Sequence, residues 1–418
     1  MPHRRCFARV LCLCLLLSVC LAPMSLSLPA PAPQRPAAAS PEAALLAGLE
    51  AVEGEIDLSP FRIPVSDINA LFWGIVHTHP ELFYVENFGY TYLNGCVLTF
   101  KPVYTLSKEL VAARRPVFAR AVAKALAAVP KTVSPAEKVL AVNDYLVSRT
   151  AYDLTYAGAT AYDALVNRAA VCEGYSLAFG LLMDRLGIEW RYISSAKMSH
   201  AWNLVRLDGA WYHVDVTWND PIVNRGARFA DMLGRVHHEY LLIPDSVIGD
   251  AAHKHTGWSP DTPKATSTKY VNAFWTDVPT EIIHEAGKWY YIPKSNGQTH
   301  TIRAYDFRTG ASAAVHTIQA RWNAPENNTF WVRTPYLARY GNRLFYNTPD
   351  RIFSLRFDGT DVREVWKTPL SGLNAIYEMT IWDGVLHHRV SAAPQAAAVA
   401  EKQWPLAADT VSPTKNPR

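Results

Sequence analysis

The sequence predicts an α+β protein in which helices and antiparallel hairpins alternate through about residue 262 and strands dominate from about Ser267 onward. Three observations carry that expectation. Helix signals follow Ser66, Ser107 and Ser134 and start again at Cys172; Asn94-Gly95 and Asp208-Gly209 separate strand-like apolar runs; and a Gly-led aromatic strand pattern recurs from Gly287 to the C-terminal region.

At 418 residues the chain exceeds what one core usually organises, and 49% hydrophobic residues excludes disorder of the whole, so two or three domains are expected. Residues 1–27 read as a signal peptide: Arg4 and Arg5 precede an apolar run from Val10 to Leu21 that is too short to span a bilayer, and Ser25 and Ser27 supply small residues for cleavage. That places the protein outside the cytoplasm, secreted or at the cell surface, with no membrane span left after signal removal. Leu17-Ser18-Val19-Cys20 is a poor lipobox because Val19 is bulky, so lipid anchoring at Cys20 is the lesser reading.

Removing the signal leaves 38 basic against 37 acidic residues, a balance that gives no reason to expect a nucleic-acid partner. Four of the six cysteines leave with it, and Cys96 and Cys172 alone are no disulfide framework. Cys96 follows a hairpin turn in another unit, so a bridge to Cys172 is not expected.

Residues 28–44 form a Pro- and Ala-rich linker. Residues 45–130 read as a small α+β unit: a helix after Ser66 stopped by Pro80, two strands joined by Asn94-Gly95, and a long helix from about Ser107 to Val129. The next unit, residues 131–262, opens at Ser134-Pro135-Ala136-Glu137, an N-cap with proline at the first helical position and a reciprocal acid. Its second helix runs from Cys172 to Leu186 with Gly187 as the stop, and strands His200–Arg206 and Trp211–Thr217 follow.

Residues 267–395 read as β-rich repeats. Gly287-Lys288-Trp289-Tyr290-Tyr291 is echoed by Gly341-Asn342-Arg343-Leu344-Phe345-Tyr346, and Gly384-Val385-Leu386 begins a shortened third copy. The spacing suits propeller blades, but the chain ends before a closed ring, so an incomplete propeller-like array or a stack of sheets is expected. Residues 396–418 carry little pattern and read as a tail.

Chemistry concentrates in the second unit. A thiol attacks as thiolate, and a helix N-terminus offers partial positive charge and unpaired N–H groups that favour that form. Cys172 has that placement. If Asp208 and Gly209 form a two-residue turn, Trp202 faces Asp215 and His200 faces Thr217, making His200 and Asp215 diagonal neighbours on one face. A three-residue turn without a bulge would put them on opposite faces. Singly, a helix Cys is more often a small buried hydrophobe and a strand His a satisfied core group. Their order, a nucleophile, then its proton acceptor, then an orienting carboxylate, is what points to catalysis.

Val171-Cys172-Glu173-Gly174-Tyr175, His200-Ala201-Trp202-Asn203 and Trp211-Tyr212-His213-Val214-Asp215-Val216-Thr217-Trp218 resemble the three core motifs of the transglutaminase-like superfamily. The resemblance covers roughly residues 133–258. Less specifically, Pro80-Glu81-Leu82-Phe83-Tyr84 and Ser134-Pro135-Ala136-Glu137-Lys138 look like the lead-in of bacterial exported members. It implies a papain-like core, the Cys helix packed on an antiparallel sheet, with Cys172 as nucleophile, His200 as base and Asp215 as orienter. The implied reaction is acyl transfer through a thioester on protein or peptide amides, cell-wall or surface proteins among them, with no cofactor. Trp202 and Trp218 become secondary candidates for walling the acceptor's path, against their commoner role as core. The Cys172 N–H is a natural oxyanion donor; Tyr162 and Asn167 are the nearest guesses for a second.

With water as acceptor the same triad makes a cysteine peptidase or amidase. A non-catalytic surface or wall-binding module is the reading from a different class, since some relatives lack a triad member. His77 and His79, His237 and His238, and His253 and His255 lack Cys or acid at ligand spacing, so no metal site is expected. No Asp-rich calcium loop is present either.

Overall fold

The computed structural model describes residues 40–406 apart from 226–227, 326–328, 368, 370, 395 and 397. The expected signal peptide, its cleavage point, Cys20 and residues 28–39 of the linker lie outside the described residues. The chain divides into two compact units, residues 1–117 and 118–418.

In the first unit, helix α1 (Pro41–Glu50) begins inside the stretch read as linker. Ser40 caps it by accepting the Ala43 N–H at 3.2 Å, and Pro41 presets the first helical φ. Helix α2 (Ile68–Thr78) stops before Pro80, as expected. Strands β1 (Val85–Leu93) and β2 (Cys96–Tyr104) pair Leu93 with Cys96. Asn94 and Gly95 at φ 52° and 78° form the turn, which needs two left-handed residues to match strand twist. Phe72 of α2 packs on Phe88 and Phe100 of this hairpin, and Leu45 and Leu49 of α1 are fully buried. Helix α3 (Lys108–Ala128) closes the region, with Pro116 inside it.

The second unit holds helix α4 (Pro135–Val147), where Ser134 and Glu137 form a complete capping box. Helix α5 (Cys172–Arg185) follows and ends at Gly187, whose φ of 69° requires glycine's freedom. Strands β3 (Trp190–Ser195), β4 (His200–Leu207), β5 (Ala210–Val214) and β6 (Leu241–Ile243) form an antiparallel sheet in the order β6-β5-β4-β3. Asp208 and Gly209, at φ 51° and 81°, make the two-residue turn, and the ladder runs from Leu207 opposite Ala210 to Asn203 opposite Val214.

Helix α5 lies against this sheet because its first turns are small or apolar. A side chain at Gly180 would overlap the Trp190 ring of β3, and Asn203 of β4 donates its amide to the Ser176 carbonyl at 3.1 Å. Tyr175, Phe179, Leu182 and Val205 are completely buried, each large side chain contributing about 1.5–3 kcal/mol by leaving water. Helix α4 is tied to later chain by several side chains: Asp144 Oδ1 lies 2.9 Å from His238 Nε2, Asp144 Oδ2 accepts the Ile282 N–H at 2.7 Å, and Glu137 accepts Nε1–H of Trp289 at 2.7 Å.

Beyond residue 282 come three successive antiparallel meanders. The first comprises β7 (Ile283–Glu285), β8 (Lys288–Tyr291), β9 (Thr299–Asp306) and β10 (Ala311–Gln319). The second comprises β11 (Leu337–Tyr340), β12 (Arg343–Asn347), β13 (Arg351–Arg356) and β14 (Arg363–Lys367). The third comprises β15 (Ala375–Trp382), β16 (Val385–Ser391) and β17 (Ala400–Pro405). The recurring glycines Gly287, Gly341 and Gly384 all sit at positive φ in two-residue turns that open the second strand of each sheet.

Two boundaries differ from the sequence reading. Ala400–Pro405, read as part of a tail, is a strand whose register places Ala400 opposite Val390 and Pro405 opposite Val385. Its pairing is backbone-made, so a weak side-chain pattern hid it. The strand expected to reach Thr217 ends at Val214, because the chain turns directly after it, the Asn219 N–H bonding the Asp215 carbonyl at 3.1 Å. Among the described residues no helix is long and apolar enough to cross a membrane.

Candidate active site

The site forms where the start of α5 meets the first residue of β4. Cys172 is a half-buried free thiol at the first position of α5, and Val171 before it is extended and offers no side-chain cap. The helix N-terminus therefore keeps N–H groups available beside the sulfur. Gly174 is required at this point. A β-carbon there would lie 2.9 Å from the Thr160 carbonyl and 3.0 Å from that of Gly158, so only glycine lets the 158–160 backbone press on the first turn.

His200 is buried, and its Nε2 lies 2.6 Å from Asp215 Oδ2. The Cys172 side chain acts on the same ring, favouring its charged form. With Nε2 engaged by Asp215, Nδ1 is the nitrogen left for the thiol. Asp215 is inaccessible to solvent, and its Oδ1 accepts the Trp218 N–H at 3.0 Å. The structure thus brings Cys172, His200 and Asp215 together.

Burial by itself would lower the His200 pKa. The Asp215 charge and hydrogen bond, with smaller contributions from Cys172, outweigh it and push His200 up to about 10. Asp215 shows the reciprocal effect: burial opposes its charge, but His200 and His255 hold the carboxyl well below the ordinary carboxylate range. Glu173 is pushed up to about 7 by burial. Tyr192 on β3 is raised well above an ordinary phenol by burial, with the charges of Glu173 and Cys172 adding to it.

His255 joins this site without having been singled out for it by sequence. Its Nε2 lies 2.7 Å from Asp215 Oδ2, the same oxygen that faces His200. The His253-x-His255 pair is visible in the sequence, but the carboxylate it meets is 40 residues away. His200, Asp215 and His255 offer ligand atoms within 4.8 Å of one another, a set whose residue types could hold a metal. The distances fit hydrogen bonds instead. Tetrahedral zinc with bonds of about 2.0–2.2 Å would hold its ligand atoms roughly 3.3–3.6 Å apart.

The two tryptophans separate. Trp202 is completely buried and donates Nε1–H to His213 Nδ1 at 2.9 Å, with its ring stacked 5.8 Å behind His200. It cannot touch an acceptor, which corrects the expectation for this residue. Trp218 is 37% exposed and lies 5.8 Å from the His200 ring, so it remains within reach of one. Of the two upstream guesses, Asn167 gives its amide to Asp163 at 2.8 Å, and Tyr162 is buried against Phe118.

Comparison with known proteins gives a family match over part of the chain. Residues 120–216 match the Transglutaminase-like superfamily. Among solved structures, a protein described as a TGase aligns at 18% identity over 34% of this chain and 47% of its own, with a TM-score of 0.24. A candidate cysteine protease from Cytophaga hutchinsonii aligns at 17% identity over 32% of this chain and 62% of its own, with a TM-score of 0.22. Each alignment spans less than two thirds of the other protein. No curated protein matches. On the family match, residues 120–216 of this chain form a transglutaminase-like core.

Proposed function

We propose that the protein is an exported cysteine-dependent acyl-transfer enzyme acting on protein or peptide amides. The observation that carries the proposal is a histidine held 2.6 Å from a buried carboxylate and acted on by a thiol at the start of a helix, Cys172. A nucleophile, a proton carrier and an orienter in that order are what covalent acyl transfer needs. Export rests on the signal-like residues 1–27.

In the first half-reaction the Cys172 thiolate attacks the amide carbon. The C–N bond then breaks, and His200 gives its proton to the departing amine, leaving a thioester. In the second, an amine or water attacks the thioester, and His200 takes the proton as the C–S bond breaks. The Cys172 N–H supplies one donor to the oxyanion. Tyr192 is the candidate for the other, a phenol kept protonated and near enough to the sulfur to feel its charge. Trp218 offers an aromatic wall for the alkyl part of an amine acceptor.

The test is incorporation of a fluorescent primary amine into a glutamine-bearing protein, measured beside ammonia release. Incorporation lost in Cys172→Ala supports transfer; ammonia release without incorporation selects the amidase, and new peptide amino termini without either select the peptidase. For the non-catalytic alternative, iodoacetamide labelling across pH decides. A Cys172 no more reactive than a free thiol near neutrality, and unchanged by His200→Ala, would sink the enzyme reading.

A further inference from the structure

We propose that His255 is a positioning residue of this site, a second imidazolium that shares the Asp215 carboxylate with His200 and keeps the His200 proton transferable. The proposal deepens the catalytic reading and rests on it.

The hydrogen-bond inventory around His255 fixes its charge. Its Nε2 faces Asp215 Oδ2 at 2.7 Å and its Nδ1 faces the His253 carbonyl oxygen at 2.9 Å. A carbonyl and an ionised carboxylate only accept, so both ring nitrogens of His255 must carry protons. The ring is completely enclosed, with Trp202 at 4.9 Å, Trp218 at 4.7 Å and Tyr240 at 5.5 Å, and aromatic faces suit a cation.

The segment carrying it is held in place. The His255 N–H bonds the Ile248 carbonyl at 3.0 Å, and Ser195 Oγ, at the end of β3, donates to the Thr256 carbonyl at 2.6 Å. Gly257 at φ 76° passes so close that a β-carbon would lie 3.0 Å from Ser195 Oγ.

Charge balance gives the ring a purpose. A thiolate, a His200 imidazolium and a buried carboxylate sum to one uncompensated negative charge; His255 brings the set to neutrality. It also competes for the one oxygen that grips His200, and its ring centre is 5.4 Å from that of His200. Both effects weaken the stabilisation that Asp215 gives the His200 imidazolium through Nε2, and so ease release of the Nδ1 proton that a general acid must give up. The other titratable groups facing His255 are His213, whose ionisation it opposes, His253 with its partner Asp250, and the Tyr240 phenol, which also feels Glu239. None supplies a second anion at Asp215.

The experiment uses the full mature chain with uniform ¹⁵N label and follows imidazole nitrogen resonances. At pH 7 both His255 nitrogens are expected to appear protonated. In a Cys172→Ala background, where no thiol perturbs the ring, His255→Gln is expected to move the His200 titration upward by about one pH unit, as removal of a like charge at this range requires. A bare His255 nitrogen at pH 7 overturns the proposal, as does a His200 titration unmoved by His255→Gln. Stoichiometric zinc uptake shifting both rings overturns it too. The wild-type measurement does not depend on the variant folding. Neither arm uses turnover, so an inactive protein with these titrations would defeat the catalytic reading and leave the pairing standing.

Discussion

Asp215 accepts three N–H groups with two oxygens: His200 and His255 on Oδ2 and the Trp218 backbone on Oδ1. A carboxylate so satisfied is a strong anchor for two rings at once. Around the sulfur the balance differs. Glu173 is kept protonated by burial up to about pH 7, and above that its charge develops beside Cys172. Glu173→Gln removes that ionisation, and Cys172 alkylation at pH 8 should rise a few-fold while alkylation at pH 6 stays level. Tyr192→Phe deletes the candidate oxyanion donor, so kcat should fall by about 10²–10³ with KM little changed. At this scale the sequence showed what is local. Cys172 announced itself by helix placement, and His200 and Asp215 by a turn. His255 and Tyr192 did not, because their partners are reached through the fold: Asp215 is 40 residues from His255, and Tyr192 comes within electrostatic range of Cys172 only when β3 lies beside α5.

Elements were legible where backbone chemistry forces them. The Asp208-Gly209 turn predicted a register that the ladder keeps from Leu207 to Asn203, and that register decides whether His200 and Asp215 share a face. The end of β5 was not legible, since Val216 and Thr217 suit a strand and only the bond from the Asn219 N–H back to the Asp215 carbonyl turns the chain there. The same was true of β17, a strand made by backbone pairing with β16. At the start of α5, Gly174→Ala drives a methyl against two carbonyl oxygens and the Ala170 side chain. Urea unfolding should show a loss of roughly 1–3 kcal/mol. kcat should fall with it, because the first turn carries the nucleophile.

Across the whole molecule, histidines set opposite limits on stability. His200 is raised in the fold to about 10 from 6.5, so its contribution is complete below pH 6.5 and is lost as pH climbs through 10. Burial lowers His77 and His388 to about 4, and it lowers His237 likewise, with neighbouring charges assisting. Their contribution is present above pH 6.5 and lost as pH falls through 4. Thermal unfolding across pH 4–10 should therefore show a maximum near pH 6.5, and His388→Phe should flatten the acid side; a profile that rises steadily to pH 10 would contradict the His200 assignment.

The carboxylate of Asp144 holds both ends of the long excursion between β6 and β7, through His238 on one side and the Ile282 amide on the other. A polypeptide fastened this way should survive being cut. Ser259, Pro260 and Asp261 are exposed near the middle of the excursion. After a single proteolytic nick there, the two fragments should migrate together on a native gel, still carrying His255 against its carboxylate. They should part only in denaturant, and at a lower concentration of it in Asp144→Ala, since Glu137 with Trp289 and Arg235 with Tyr336 still join them.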